Sequence, residues 1–170
     1  MWGDMSDDQN KPIRFFGKKS KFAIFSNFAD TPVIIDGLYY LTTEHFFQSM
    51  KFANSDPEYA ELVREAKTPL ESKRLGKSRE HPIDEKWADS REGQGNSIVI
   101  MRKALLCKAL QHPEFKETLL STGKREIIEA SPYDSYWGEG KDKKGKNMLG
   151  KLLMELRKIL EHYKDSMYEC

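Results

Sequence analysis

The sequence predicts an α+β fold, a compact, helix-rich single domain with a small, mostly antiparallel sheet. Two observations indicate this class. An Asp36-Gly37 pair separates two short apolar runs, which is typical of a β-hairpin, and most later segments carry apolar residues at helical spacing. With 170 residues, the chain is long enough to form one domain around a core of its own.

The segments before the hairpin are short. Residues 1–11 are polar and aperiodic, so we expect a disordered leader, followed by the folded domain at 12–164 and a tail at 165–170. Residues 13–16 and 22–25 are apolar runs separated by a Gly-Lys-Lys-Ser sequence. They predict a strand, a turn and a second short strand or turn.

The hairpin leads directly into the first predicted helix. Apolar residues at 33–35 and 38–41 flank the Asp-Gly turn, and Thr42 then offers an N-cap. We predict a helix over 42–54 that is fixed to the hairpin at its N-terminus. Its predicted buried stripe consists of Phe46, Phe47, Met50 and Ala53.

Helix-start signals place the next three elements. A helix begins after Asp56 and ends near residue 66, and a Thr-Pro-Leu-Glu capping box at Thr68 opens a third helix, which Gly76 ends. Asp84 is predicted to cap a short turn, and that turn carries Trp87 and Arg91.

The remainder of the chain is predicted to be mostly helical. Asn96 caps a helix, residues 113–121 form another, residues 125–130 form a strand, and Asn147 caps the last helix. The predicted stripe of the helix at Asn96 is Ile98, Val99, Met101, Leu105, Leu106 and Ala109. That of the last helix is Leu149, Leu152, Leu153, Leu156, Ile159, Leu160 and Tyr163.

Composition limits the classes of partner. The net charge is +1, with 38% hydrophobic and 32% charged residues, so bulk electrostatics favour neither nucleic acid nor a membrane. A local basic pocket for a phosphorylated ligand is compatible with this balance. Cys107 and Cys170 fit neither a disulfide framework nor a metal-ligand spacing, so we expect no metal or other cofactor and a cytoplasmic or nuclear location.

The helix at 42–54 carries polar residues beside its apolar stripe. Glu44, Gln48 and Lys51 stand at i, i+4 and i+7 and therefore share one face. Partial desolvation there would raise the pKa of a glutamate and lower the pKa of a lysine, which suits proton transfer or covalent chemistry. The alternative is a solvated polar face.

A loop rich in aromatic residues supplies a second candidate. Asp134 follows the predicted strand at 125–130 and lies among Tyr133, Tyr136 and Trp137, where a charge requires a partner. The alternative is an aspartate that builds its own turn after a proline. Trp87 is either a stacking platform for a base or part of the core.

Basic residues cluster around the short third helix. They are Lys67, Lys73, Arg74 and Lys77. This cluster is interpreted either as a solvated basic face or as a phosphate site.

Several spaced blocks resemble one family. They are Ser26-Asn27-Phe28; Gly37-x-x-Tyr40-x-x-Thr43-Glu44-His45-Phe46-Phe47-Gln48-x-x-Lys51; Ala66-Lys67-x-Pro69 with Leu75-Gly76; Trp87 and Arg91; Ser131-Pro132-x-Asp134-x-x-Trp137-Gly138; and Asn147-x-Leu149-Gly150. In this order they resemble the NADAR domain, the YbiA-like superfamily, from about Ile13 to about Leu160.

The resemblance implies an N-glycosidase with a helix-rich α+β fold. It implies action on ADP-ribosylated guanine, in nucleic acid or as a nucleotide, with release of ADP-ribose, or clearance of phosphoribosylamino-pyrimidine intermediates of riboflavin biosynthesis. The positions that it marks as functional are Glu44, Trp87, Asp134 and Asn147. The other positions assigned to substrate binding are Ser26, Asn27, Gln48, Lys67, Arg91, Trp137 and Gly138.

The expected chemistry leaves roles open. Cleavage of an N-glycosidic bond develops positive charge at the anomeric carbon, so Glu44 or Asp134 is the expected acid or base, with Trp87 stacking on the base. Lys51 either forms a Schiff base with the opened sugar, or only pairs with Glu44 or binds phosphate. A non-catalytic ADP-ribose reader is the alternative of another class.

The expected partners are small molecules or a single strand. They are an ADP-ribosyl or ribosyl-phosphate compound, or ADP-ribosylated single-stranded DNA or RNA, and no membrane. Lys141, Lys143, Lys144 and Lys146 either contact such a strand or form a solvated loop.

Overall fold

The computed structural model describes residues 10–88 and 96–166 of the chain. Most of the predicted leader, Arg91, the glycine-containing loop before Asn96 and the last four residues of the predicted tail lie outside the described residues. Backbone contacts divide the chain into two units. One joins the N-terminal residues up to Ser26 with Glu114 onward, and the other runs from Asn27 to Pro113.

The predicted α+β class is confirmed. The described residues contain six α-helices, two 3-10 helices and two separate two-stranded pairs, one antiparallel and one parallel. None of the helices in this part of the chain is both long enough and apolar enough to cross a membrane.

The hairpin opens the unit that runs from Asn27 to Pro113. Strands β1 to β4 are numbered along the chain, and β2 (Val33–Ile35) pairs antiparallel with β3 (Leu38–Tyr40). Asp36 and Gly37 both have positive φ, 53° and 79°, which a tight two-residue hairpin turn requires. The hairpin packs its inner face into a core cluster of Val33, Ile35, Tyr40, Phe46 and Ala104. The Asp-Gly prediction is therefore confirmed.

Helix α1 (Thr43–Ser49) follows the hairpin and is shorter than predicted. Thr42 caps it as expected, since its side chain accepts a hydrogen bond from the His45 backbone N–H. The chain turns after Met50, and this turn places Phe52 in the core with its ring edge-on to Tyr59 at 4.9 Å. The predicted stripe included Ala53 but not Phe52, which is fully buried.

Helices α2 (Pro57–Arg64) and α3 (Pro69–Leu75) start where the sequence predicts. Asp56 caps α2, and Thr68 caps α3 by accepting from the Glu71 backbone N–H. The Glu71 carboxylate accepts from the backbone N–H of Lys67, one residue before the position that a capping box uses. Residues 85–88 form a 3-10 helix (Glu85–Ala88).

Helix α4 (Asn96–Gln111) begins at the residue predicted to cap it. Its predicted stripe is correct at Ile98, Met101, Leu105 and Ala109, which are buried. It is wrong at Val99 and Leu106, which are exposed. Lys108 takes a place in the buried face, with a fully buried side chain.

The other unit contains the parallel strand pair. β1 (Ile13–Phe15) pairs with β4 (Ile127–Glu129), with Ile13 opposite Ile127. The run at 22–25, predicted as a strand or turn, forms a 3-10 helix (Ala23–Phe25) instead. The reason is the position of Phe25, whose buried ring packs edge-on against Phe15 at 5.8 Å and Phe115 at 6.0 Å.

Helices α5 (Pro113–Ser121) and α6 (Met148–Ser166) complete the chain. Five leucines of the predicted α6 stripe are buried: Leu149, Leu152, Leu153, Leu156 and Leu160. Ile159 and Tyr163 are exposed, so the stripe was drawn too wide. Because α6 runs to Ser166, the first residues of the predicted tail are helical.

Candidate active site

The N-terminus of α1 is anchored by buried polar contacts. Asn27 accepts the Glu44 backbone N–H through its main-chain oxygen at 3.1 Å, and the Thr43 hydroxyl through Oδ1 at 2.9 Å. Asn27 is itself buried, and its Nδ2 lies 3.3 Å from the Sδ of Met101 in α4. These contacts fix the backbone from which the Glu44 side chain projects.

Glu44 and Gln48 face each other along α1. Gln48 donates from Nε2 to Oε1 of Glu44 at 2.7 Å, and the two residues are only 4% and 6% exposed, respectively. The i, i+4 spacing therefore brings them together as the sequence predicts, in a buried rather than a solvated setting. The carboxylate is held in one orientation by an amide that is itself held by packing.

The other end of the Gln48 amide lies against α3. Its Oε1 is buried and makes no hydrogen bond to any described residue. A Cβ added to Gly76 would lie 2.0 Å from this oxygen. Gly76 was predicted only as a helix stop, and its φ of −63° is ordinary, so the glycine is required by the close approach of Gln48.

Lys51 lies just after α1 on the same face. Its Nζ donates to the main-chain oxygen of Gly76 at 3.2 Å and lies 5.8 Å from the centre of the Phe47 ring. Burial lowers the pKa of Lys51, the Glu44 carboxylate raises it, and the ammonium groups of Lys77 and Lys73 lower it further. The predicted direction for a desolvated lysine is confirmed.

Trp87 is positioned through the backbone of Lys51. The Asp84 backbone N–H donates to the Lys51 carbonyl at 2.9 Å, and the Asp84 carbonyl accepts from the Trp87 N–H at 2.9 Å. Asp84 also caps this turn through its carboxylate, which accepts the Lys86 N–H, as predicted. The half-buried Trp87 ring lies 5.0 Å from that of Phe47, tilted by 58°.

The predicted basic cluster on α3 divides into two groups. Lys73 and Lys77 lie close enough to Lys51 to affect its pKa, and the Lys73 Nζ also lies over the Phe28 ring at 5.6 Å. Lys67 is exposed at the start of α3, where its backbone N–H is bound by Glu71. Of the predicted basic cluster, Lys73 and Lys77 therefore lie near Lys51 on the Glu44 face.

The unit that contains α6 holds the Asp134 loop. The Asp134 Oδ1 accepts the backbone N–H groups of Tyr136 at 2.9 Å and Trp137 at 2.7 Å. These are the contacts of an aspartate that builds its own turn, the alternative that the sequence left open. The catalytic role of Asp134 stays a prediction.

Asn147 joins this loop to strand β4. Its Oδ1 accepts the Glu129 backbone N–H at 3.0 Å, its Nδ2 donates to the Ile127 carbonyl at 2.9 Å, and its own N–H donates to the Gly138 carbonyl at 3.0 Å. Asn147 occupies the predicted position before α6, but its side chain supports the strand. Ser26 is half-buried and ends the 3-10 helix of the same unit.

The structure thus groups the predicted site residues within each unit. Asn27, Glu44, Gln48, Lys51 and Trp87 converge around α1, and Asp134, Trp137, Gly138 and Asn147 form one loop. Phe47, predicted only as core, contacts both Trp87 and Lys51. It stands three positions after Glu44 and four before Lys51, which puts it beside the polar face, a signal that helical spacing offered.

The α1 face holds groups of the kind that acid and base chemistry uses. A buried carboxylate fixed by an amide lies on the same face as a lysine whose pKa burial lowers. Among the described residues, no group of three or more His, Cys, Asp or Glu side chains is placed to hold a metal ion.

Comparison with known proteins identifies the family. The model of the NADAR domain matches residues 14–161. The chain belongs to the NADAR domain family. Over 152 residues it is 40% identical to N-glycosidase YbiA of Escherichia coli, which covers 89% of this chain and 90% of that protein. The family and the names of its relatives make this NADAR protein an N-glycosyl hydrolase.

A solved structure and a longer relative extend the comparison. The NMR structure of the E. coli protein YbiA matches with a TM-score of 0.81 and 38% identity, covering 92% of this chain and 88% of that chain. The maize (Zea mays) riboflavin biosynthesis protein PYRR, chloroplastic, is 34% identical over 163 residues. This NADAR chain is covered to 91% in that match, which spans only 26% of the maize protein.

Proposed function

We propose that this NADAR protein hydrolyses the N-glycosidic bond of a ribosyl substrate that carries phosphate, with Glu44 as the carboxylate that acts at the anomeric carbon. The observation that carries the proposal is the buried Glu44 carboxylate, held by the Gln48 amide at 2.7 Å on the face that continues to Lys51. A fixed carboxylate in a partly desolvated site stabilises a developing cation more strongly than one in water.

The reaction needs little beyond this carboxylate and water. The bond between C1 and nitrogen breaks, its electron pair leaves with the base, and the sugar takes on oxocarbenium character. Glu44 stabilises that charge and accepts a proton from the water that adds to C1, and this proton then passes to the departing nitrogen, so that the base leaves neutral and the carboxylate is restored. Trp87, fixed beside Phe47, offers a face on which the leaving base stacks.

The three lysines supply the phosphate contacts. Lys73 and Lys77 act on Lys51 as like charges, and the Glu44 carboxylate acts on it as an opposite charge. A phosphate bound among them relieves this repulsion, and its oxygens accept hydrogen bonds from ammonium groups. We therefore assign Lys51 to phosphate binding rather than to Schiff-base formation.

The first candidate for the specific substrate is ADP-ribosylated guanine, in nucleic acid or as a nucleotide, with ADP-ribose as the product. Its diphosphate places negative charge on two adjacent phosphate groups rather than on one, which suits a site with three nearby lysines. The residue blocks that resemble the NADAR domain also support this substrate.

A phosphoribosylamino-pyrimidine intermediate of riboflavin biosynthesis is the second candidate. The observation that favours it is the similarity to the riboflavin biosynthesis protein of maize. This substrate presents the same bond and one phosphate, so the same residues would act on it.

A non-catalytic ADP-ribose reader fits the structure less well. A binding site for a diphosphate gains nothing from a buried carboxylate nearby, because like charges repel. The fixed Glu44 side chain therefore favours hydrolysis over simple binding.

The deciding experiment compares the two substrates directly. The protein is incubated with a guanine-ADP-ribosylated oligonucleotide and, separately, with the ribosylamino-pyrimidine phosphate, and products are followed by mass spectrometry. Release of ADP-ribose that Glu44→Gln abolishes supports the leading proposal. Turnover of the pyrimidine alone moves the function to metabolite clearance, and binding of ADP-ribose without turnover of either substrate overturns the hydrolase.

A further inference from the structure

An exposed aromatic pair marks the surface of the unit that contains α6. Tyr133 is 88% exposed, and Phe16, which directly follows β1, is 48% exposed. Their ring centres lie 6.1 Å apart with an interplanar angle of 53°. Two large rings that meet each other in solvent form a contiguous aromatic patch.

The segment that carries Tyr133 is held rigidly. The Tyr133 backbone N–H lies 3.3 Å from the buried Ser131 hydroxyl, and the Ser131 carbonyl accepts the Gly140 N–H at 3.1 Å. The Ser135 carbonyl accepts the Lys146 N–H at 2.7 Å. Because the loop is closed by these bonds, ordering it costs little when a ligand stacks on the ring.

A shallow depression beside Tyr133 is lined by small residues, one lysine and one aspartate. Its lining is Pro132, Tyr133, Ser135, Gly140, Lys141 and Asp142. The exposed lysines of the following segment are Lys141, Lys143, Lys144 and Lys146. Lys18 and Lys19, also exposed, lie two and three residues after Phe16.

The acidic residues of the same loop are already engaged in local contacts. The Glu139 carboxylate forms an ion pair with Arg14, and the Asp134 carboxylate holds its own turn. The Asp142 carboxylate accepts the Lys144 backbone N–H at 3.1 Å. Within residues 141–146, four lysines stand against one aspartate, so positive charge dominates this segment, although the whole chain has a net charge of only +1.

We propose that the Phe16–Tyr133 ring pair and the lysines of 141–146 bind single-stranded nucleic acid, with bases stacking on the rings and phosphates on the ammonium groups. Aromatic faces flanked by lysines suit this polyanion, because every base has a face to stack and every linkage carries a negative charge. A membrane surface is disfavoured, because the patch consists of two rings rather than an aliphatic face that could enter lipid. This inference deepens the proposed function by placing the modified base on a strand.

The test measures binding of unmodified strands, so its outcome does not depend on hydrolysis. Fluorescence anisotropy with a labelled 15-mer of thymidines and a 15-mer of uridines gives the Kd of the full chain at two salt concentrations. We expect Tyr133→Ala to weaken binding about tenfold and Tyr133→Phe to preserve it, because the ring rather than the hydroxyl stacks. Lys141→Ala and Lys144→Ala should each weaken binding and reduce its salt dependence.

The matched control is Tyr39→Ala, which removes a tyrosine that is 51% exposed on the β2–β3 hairpin of the other unit. It should leave the Kd unchanged, and Tyr133→Ala should leave turnover of a free ribosyl nucleotide unchanged. No oligonucleotide binding at low salt, equal losses in the Tyr39 and Tyr133 variants, or tighter binding to vesicles of anionic lipid than to oligonucleotides would each overturn the proposal. If hydrolysis fails while strands still bind through Tyr133, the proposed function is wrong and this inference stands.

Discussion

The Gln48 amide donates to the Glu44 carboxylate at 2.7 Å, and both side chains are buried in α1. The pair stands one helical turn apart, on a backbone that Asn27 anchors at the start of the helix. Gln48 therefore acts as a positioning residue for the Glu44 side chain, while the contacts with Asn27 fix the backbone of Glu44. Substituting Gln48 tests the orientation of the carboxylate, whereas substituting Glu44 tests the carboxylate itself.

The first prediction concerns this pair. We expect Glu44→Gln to lower kcat by roughly 100-fold or more without loss of folding, because the amide keeps the shape but cannot accept a proton. Gln48→Leu should lower kcat less, since it leaves the carboxylate in place but free to turn. Steady-state kinetics measure kcat of each variant, and circular dichroism measures folding. The control is Glu58→Gln, which replaces an exposed glutamate of α2. Full activity in Glu44→Gln would refute the assignment.

Gly76 offers a test from the other side of the amide. Gly76→Ala places a methyl group where the Gln48 Oε1 lies, 2.0 Å from the new carbon, so the buried glutamine must move. We expect kcat to fall roughly tenfold and the free energy of unfolding to fall by about 1–3 kcal/mol, the usual cost of overpacking. Arg74→Ala, an exposed change on the same helix, should alter neither. An unchanged kcat in Gly76→Ala would show that the orientation of Gln48 is unimportant.

Local signals predicted the frame of this site. The Asp36-Gly37 turn, the Thr42 cap and the i, i+4 relation of Glu44 and Gln48 each depend on a few neighbouring residues, and the structure confirms them. Such features are encoded by backbone preference and helix geometry, which a sequence shows directly.

Long-range packing accounts for what the sequence did not reveal. The parallel register of Ile13 with Ile127 joins residues more than a hundred positions apart, and no local pattern specifies it. The run ending at Phe25 has the composition of a strand, yet the burial of its ring between two other phenylalanines selects a 3-10 turn. Gly76 ends α3 as predicted, but its contact with Gln48 could not be predicted because it exists only in the folded chain.

Lys51 gives a prediction for pH dependence. Burial lowers the pKa of Lys51 from its usual 10.5, so the ammonium loses its proton earlier as the pH rises. If it binds phosphate, KM should rise as the pH passes through that lowered pKa. Lys51→Arg should keep a low KM and remove this rise, since arginine stays charged.

The same variant tests covalent catalysis by Lys51. An arginine side chain cannot form a Schiff base under these conditions, whereas it can still bind phosphate. We expect Lys51→Arg to retain most of kcat and borohydride to trap no adduct on the wild-type protein. An adduct that is trapped on the wild type and absent from Lys51→Arg would show instead that Lys51 is the nucleophile.

Asp134 can be assigned by comparing two substitutions. Asparagine presents the same Oδ1 to the Tyr136 and Trp137 N–H groups but is neither an acid nor a base, whereas alanine removes the turn contacts as well. We expect Asp134→Asn to keep most of the activity and Asp134→Ala to lose both activity and about 1 kcal/mol of stability. A stable but inactive Asp134→Asn would support a catalytic role for Asp134.

Lys108 should make the free energy of unfolding depend on pH above neutrality. Burial lowers its pKa to about 7, against 10.5 for an exposed lysine, so the folded chain releases this proton at a lower pH than the unfolded chain. The free energy of unfolding should therefore rise between about pH 7 and pH 10.5, by on the order of a few kcal/mol. Below pH 7 the buried ammonium is charged and this contribution is lost.

Replacing Lys108 with an uncharged side chain of similar length isolates its effect. We expect Lys108→Met to flatten the rise above pH 7 and to increase stability most at pH 6, because methionine has no charge to desolvate. Urea unfolding at pH 6 and pH 10 measures the difference, with Lys124→Met, an exposed lysine, as the control. Equal slopes in the wild type and Lys108→Met would mean that the proton at Lys108 is not linked to folding.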